Sequence, residues 1–64
     1  MSVEFYTIPE VMRLLRLGRT HIYDEIRRGR LGSVVCGRAR RVPAECLHAY
    51  RRLLMAESGL EVGL

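Results

Sequence analysis

The sequence predicts a mainly α fold of three helices with one small two-stranded β-hairpin, and three features predict it. Apolar residues recur at helical spacing from Ile8 to Leu15, behind a capping motif at Thr7. A second helical stretch follows the break at Leu17-Gly18 and stops at Gly29. A β-prone run from Ser33 to Cys36 turns at Gly37 and returns through Arg40 to Val42, and Pro43 then opens a third helix.

The 64 residues are expected to form one domain, residues 1–64, with 57–64 as a tail that frays at Gly59 and Gly63. A chain of this length buries only about 60% of its unfolded surface, so its core is small and gains from a partner. An apolar fraction of 48% argues against disorder throughout.

Met1 to Tyr6 alternates Val3 and Phe5 with polar neighbours, which suits a short extended lead-in with either Phe5 or Tyr6 packed on the core. Thr7 and Glu10 make a T-x-x-E capping box, in which each side chain satisfies the other's free backbone N–H. Pro9 sits in the first turn, where no N–H is needed, and Tyr6 and Val11 occupy the positions of a hydrophobic staple. Ile8, Val11, Met12 and Leu15 face inward, Arg13 and Arg16 outward, and the helix ends near Arg16. Gly18 permits the tight turn that follows.

The second helix is expected from about Arg19 to Arg28. With Ile22 and Ile26 inward, Thr20, His21, Asp24, Arg27 and Arg28 fall on the outer face and Tyr23 on the flank. Arg19 lies nearer the buried side by angle, yet from the first turn it can swing outward. The hairpin tip is Gly37-Arg38-Ala39. In the third helix Leu47, Tyr50 and Leu54, with Cys46 and Leu53 beside them, form the apolar stripe. Arg51 and Arg52 are placed near its C-terminal end, as partners of the helix dipole. Leu60, Val62 and Leu64 either fold back on the core or form a sticky segment for a partner.

Two helices joined by a tight Gly turn, followed by a basic hairpin, are the parts of a winged helix-turn-helix. The charge map agrees with that. The net charge is +4, all eleven basic residues are Arg, and all lie between Arg13 and Arg52. That segment holds three acids, Asp24, Glu25 and Glu45, which leaves +8 on the middle of the chain and −4 on its ends. A GC-rich genome explains the absence of Lys as readily as function does, but not the clustering. A basic middle on so small a fold implies a polyanionic partner, here double-stranded DNA. The second helix then reads base edges in the major groove through Arg19, Thr20 and His21, followed by Tyr23 and Asp24. Arg takes guanine bidentately, and Asp accepts from cytosine N4. Arg38 and Arg40 at the hairpin tip lie along phosphates or in a narrow minor groove.

Other chemistries fit poorly. Cys46 and His48 stand two apart on a helix and face different ways, so His21, Cys36, Cys46 and His48 do not make a zinc set. A catalytic Cys–His pair needs a pocket for which a chain this small has little room. No metal, no cofactor and no enzymatic activity are expected. Without a signal-peptide pattern, Cys36 and Cys46 are expected as free thiols in a reducing cytosol. The apolar runs are too short to cross a membrane.

From Tyr6 to about Leu54, the segments YTIPEVMRLL, LGRTHIYDEIRRGRL, VVCGRARRVP and AECLHAY stand in an order that resembles the excisionase family of phages and mobile elements. These are recombination directionality factors within the MerR-like winged helix-turn-helix group. The most specific match is T-x-I-Y-x-x-I-x-x-G-x-L from Thr20 to Leu31, followed by G-R-x-R-R from Gly37. The resemblance implies DNA-facing positions at Arg19, Thr20, His21, Tyr23, Arg27, Arg38, Arg40 and Arg41. It also implies an architectural role in the bacterial cytoplasm or a phage-infected host. In that role several copies would be expected to bind neighbouring sites cooperatively, to self-associate on DNA, to bend it, and to bias a site-specific integrase toward excision.

Three positions depart from the pattern. Gly18 stands where Ser usually caps the second helix, Asp24 where a basic residue is common, and Glu25 adds a second acid. Two other roles suit the same residues. One is a small transcriptional regulator. The other is a protein-interaction module, antitoxin-like or anti-repressor, with the apolar tail as its contact.

Overall fold

The computed structural model describes residues 4–59. The elements run β1 (Phe5–Thr7), α1 (Ile8–Leu15), α2 (Arg19–Arg27), β2 (Val34–Cys36), β3 (Ala39–Pro43) and α3 (Ala44–Glu57). This is the three-helix, winged arrangement expected, with one addition. The lead-in is itself a strand, so the sheet has three antiparallel strands in the order β1-β3-β2. Phe5, Tyr6 and Thr7 pair with Pro43, Val42 and Arg41. The Glu4 carbonyl then accepts the Ala44 N–H at 2.8 Å.

Thr7 ends β1 and caps α1. Its N–H donates to Glu10 Oε1 at 2.8 Å, and the Glu10 N–H donates to Thr7 Oγ1 at 3.2 Å, completing the capping box. The first of these bonds, with Arg13 and Arg41 nearby, holds the Glu10 carboxyl below its ordinary pKa. α1 stops where Arg16 turns left-handed (φ 57°), which lets the Leu17 N–H reach the Met12 carbonyl at 3.2 Å. α2 starts at Gly18 with no side-chain cap, as expected where Ser is missing. It ends at Gly29, whose φ of +77° suits Gly.

Strand alternation sets the core. On β3, Val42 faces the helices and is fully buried with Ile8, Val11, Ile22, Leu31 and Leu47. Its cross-strand neighbour Tyr6 packs half-buried on that cluster, whereas Phe5 lies on the opposite sheet face and is 48% exposed. The core aromatic of the lead-in is therefore Tyr6. Tyr50, expected on the apolar stripe of the third helix, is 1% exposed.

Three expectations about α3 change. Pro43 is its N-cap and the last residue of β3, because the β1–β3 ladder holds Pro43 extended (ψ 147°). The helix continues to Glu57, so Arg51 and Arg52 lie in its middle and cannot serve as end-of-helix dipole partners. Glu57, assigned from sequence to the tail, is the last helical residue and pairs with Arg30. Residues 60–64 of the expected tail lie outside the described residues. Among the described residues no helix is long and apolar enough to cross a membrane.

Candidate nucleic-acid interface

α2 is held by its apolar side. Ile22 is fully buried and Ile26 half-buried. A helix pinned along that stripe presents the rest of its circumference outward. Arg19, Thr20, His21, Tyr23, Arg27 and Arg28 are all exposed, so the first turn and a half forms one accessible polar surface.

The two acids of α2 do different things. Asp24 remains on the outer side, where Oδ1 accepts from Arg27 Nη2 at 2.5 Å and Oδ2 from Arg28 Nε at 3.0 Å. Both carboxylate oxygens are thereby engaged, and two guanidinium groups are held side by side along the last turn. Glu25 points inward and is 6% exposed. It accepts from the Tyr50 hydroxyl at 2.6 Å and from Arg30 Nε at 3.1 Å on each oxygen. Arg30 continues to Glu57, at 2.5 Å from Nη1 and 2.7 Å from Nη2.

The ionisation of this group follows from its bonds. The Tyr50 hydroxyl and then Arg30 hold Glu25 below its ordinary pKa. Burial and the neighbouring carboxylate push the Tyr50 phenol up to about 12. Arg30 lowers Glu57, and both carboxylates raise Arg30. On sequence Glu25 reads only as a second acid on α2, and this buried role is not expected. The available signal was Glu25's angle: it lies three residues after Ile22, on the inward side of the helix.

The hairpin is closed by two residues, with Cys36 opposite Ala39. Gly37 takes φ +64° and Arg38 a negative φ, the signs of a type II′ turn, which continues the strand twist. Arg38 is therefore exposed at the very tip. Arg40 and Arg41 lie on opposite sheet faces. Arg40 shares the helix side with Val42, pairs across from Val35, and donates to Ser33 Oγ at 2.7 Å. Arg41 lies on the outer face between Thr7 and Val34 and donates to the Arg40 carbonyl at 3.2 Å. Among the described residues Arg19, Arg38, Arg40 and Arg41 form no ion pair, whereas Arg27, Arg28 and Arg30 do.

The structure thus groups Arg19, Thr20, His21, Tyr23 and Arg27 on the exposed side of α2. It sets Arg38 at the wing tip and Arg40 on the helix-facing side of the wing, and turns Arg41 away from Arg40. Both cysteines are free thiols, and Cys36 adjoins the wing tip. Cys46 is half-buried in α3 and packs against Gly32, and Cys36 is exposed at the end of β2.

Residues 5–52 match a family model described as a helix-turn-helix domain. The chain is 45% identical over 50 residues to an excisionase from Streptomyces ambofaciens, and the match covers 78% of this chain and 81% of that protein. No solved structure matches the chain.

Proposed function

The chain belongs to the excisionase family of helix-turn-helix proteins, and from that premise we propose that it binds attachment-site DNA in several copies, bends it, and directs a site-specific integrase toward excision. The observation that carries this reading is the pairing of an exposed α2 first turn with a wing whose tip arginine forms no ion pair among the described residues.

α2 enters the major groove, with Arg19 taking a guanine and Thr20, His21 and Tyr23 contacting base edges and the near phosphates. Arg27, held by Asp24, meets the backbone. Arg38 enters the adjacent minor groove, and Arg40 and Arg41 line its two phosphate walls, which suits their opposite faces. Smoothly bending roughly 20–30 base pairs by 40–90° costs on the order of 1–6 kcal/mol. A single copy this small makes few contacts to offset that, so copies on neighbouring sites share the cost. Residues 1–64 act as one such module, on DNA in the bacterial cytoplasm or a phage-infected host. Strand exchange belongs to the integrase, and this protein supplies geometry alone.

The test is an excision assay with the integrase encoded beside it, together with a footprint on the flanking DNA. Stimulated excision and adjacent protected sites support the reading. Binding without stimulation points instead to a transcriptional regulator.

A further inference from the structure

Asp24 stands at the middle of the outer face of α2. With Ile22 taken as inward and about 100° per residue, Asp24 falls about 200° round the helix, Arg27 about 140° and Arg28 about 240°. The two arginines therefore straddle the carboxylate. Arg28 is the C-cap and keeps right-handed helical backbone, so the same angle applies to it. Oδ1 of Asp24 accepts from Arg27 Nη2 at 2.5 Å, and Oδ2 accepts from Arg28 Nε at 3.0 Å. The arginine side chains are 75% and 65% exposed and that of Asp24 only 32%, so the acid sits beneath two outward guanidinium groups.

Among the described residues neither arginine has a second acidic partner. Each spends one N–H on Asp24, and its other donors remain open. Arg30, two positions on, differs from them, because Glu25 and Glu57 engage it within the fold. The turn that carries the pair is also braced from behind. Glu25 accepts from Tyr50 and Arg30 on the inward side, while Asp24 works on the outward side.

We propose that Asp24, Arg27 and Arg28 form a clamp for one backbone phosphate, with the two arginines as its arms and Asp24 as the positioning residue that holds them apart and oriented. A phosphodiester offers an anionic oxygen to each arm. Two guanidinium groups side by side repel one another, and the carboxylate between them offsets that repulsion. Arms already held in place lose less side-chain freedom when the phosphate arrives. An acid on the DNA-facing side of α2 therefore strengthens binding. Phosphate contacts carry no base information, but they fix register and orientation. Asp24 lies four residues beyond Thr20, about 6 Å along the axis, so the clamp sets the angle at which Arg19, Thr20 and His21 meet base edges.

This inference rests on the DNA-binding reading and deepens it. It adds Arg28 to the interface and gives Asp24 a task other than accepting from cytosine N4.

The test titrates the full chain with a duplex carrying the site footprinted beside its gene, and with copies of that duplex in which a neutral methylphosphonate replaces one phosphate at a time. Asp24→Asn adds a positive charge, so long-range attraction alone would tighten binding. The clamp predicts the reverse, a loss of roughly fivefold or more. Arg27→Ala and Arg28→Ala should each weaken binding too. At one methylphosphonate position the wild type should lose affinity while all three variants lose little more, since the contact is already gone. Urea unfolding of Asp24→Asn should be nearly unmoved, because exposed ion pairs contribute little to stability. Asp24→Asn binding as tightly as the wild type, or more tightly, overturns the proposal. So does an Arg28→Ala variant without effect, or variant and methylphosphonate losses that add at every position. Relaxed preference at one base pair with an unchanged methylphosphonate profile also overturns it, in favour of cytosine readout by Asp24. Each of these results leaves DNA binding itself standing, whereas a wild type that binds no duplex overturns the DNA reading and the clamp with it.

Discussion

Tyr50 of α3 donates its phenolic hydrogen to Glu25 of α2 across 2.6 Å, and both side chains are almost fully buried. This bond fixes α2, the helix proposed to read DNA, to α3, the longest helix among the described residues. Arg30 closes the arrangement by joining Glu25 to Glu57 near the far end of α3. The last turn of α2 and the C-terminal half of α3 are thus tied by charge in a molecule with little core to spare.

Replacing Tyr50 by Phe keeps the ring and removes the donor. A hydrogen bond to a charged group contributes about 1.5–3 kcal/mol. Tyr50→Phe should lower unfolding stability by that order, measured by urea denaturation followed by circular dichroism, with the fold retained. An unchanged midpoint would show that the bond contributes nothing.

The same group sets the pH range of stability. Glu10, Glu25 and Glu57 have folded pKa values depressed below 4.5. Their stabilisation is present above the unfolded value and is lost as pH falls through the depressed folded values. Tyr50 is raised from 10.0 to about 12, so its contribution is present below pH 10 and is lost as pH rises toward 12. The unfolding midpoint should therefore be flat between those limits and drop on both sides. Thermal melts across the pH range check this, and Tyr50→Phe should remove the alkaline decline.

Gly32 is needed for space rather than for backbone freedom. A Cβ built there would lie 2.7 Å from Cys46 Sγ and 3.3 Å from Cys46 Cβ. Gly32→Ala should destabilise by about 1–3 kcal/mol as an overpacking change. Adding Cys46→Ala removes the sulfur and should recover part of the loss. Additive penalties in the double variant would contradict this contact.

Arg38 and Arg19 should separate affinity from readout. Arg38→Ala should weaken binding nearly equally on all duplexes and make the salt slope shallower by about 1. Arg19→Ala should cost about 1–3 kcal/mol on the preferred site and much less on unrelated duplexes. Competition titrations with specific and nonspecific DNA measure both.

Much of this was legible in the chain, because the strongest local signals agreed with the tertiary fold. Thr7 and Glu10, Gly29 and Gly37 each announce their role through backbone chemistry that depends on near neighbours alone. The first turn of α2 was legible for the same reason, since Ile22 and Ile26 orient it. What escaped depends on residues far apart in sequence. Glu25 looks like a surface acid until Tyr50 and Arg30 are placed around it. Phe5 and Tyr6 could not be told apart until Val42 set which of them faces the core. The extent of α3 was underestimated because Glu57 is held by Arg30, a partner 27 positions away. Arg40 and Arg41 look equivalent as a basic pair, and only the strand register puts them on opposite faces.

On the proposed reading, α2 and the wing form a DNA-binding surface driven by arginine–phosphate contacts. Equilibrium binding of duplex from the DNA flanking its own gene, titrated over a range of salt, tests it most directly. Neutralising about six phosphates predicts a slope of about −5 in log affinity against log salt. Affinity independent of salt, or no binding to any duplex, would contradict it.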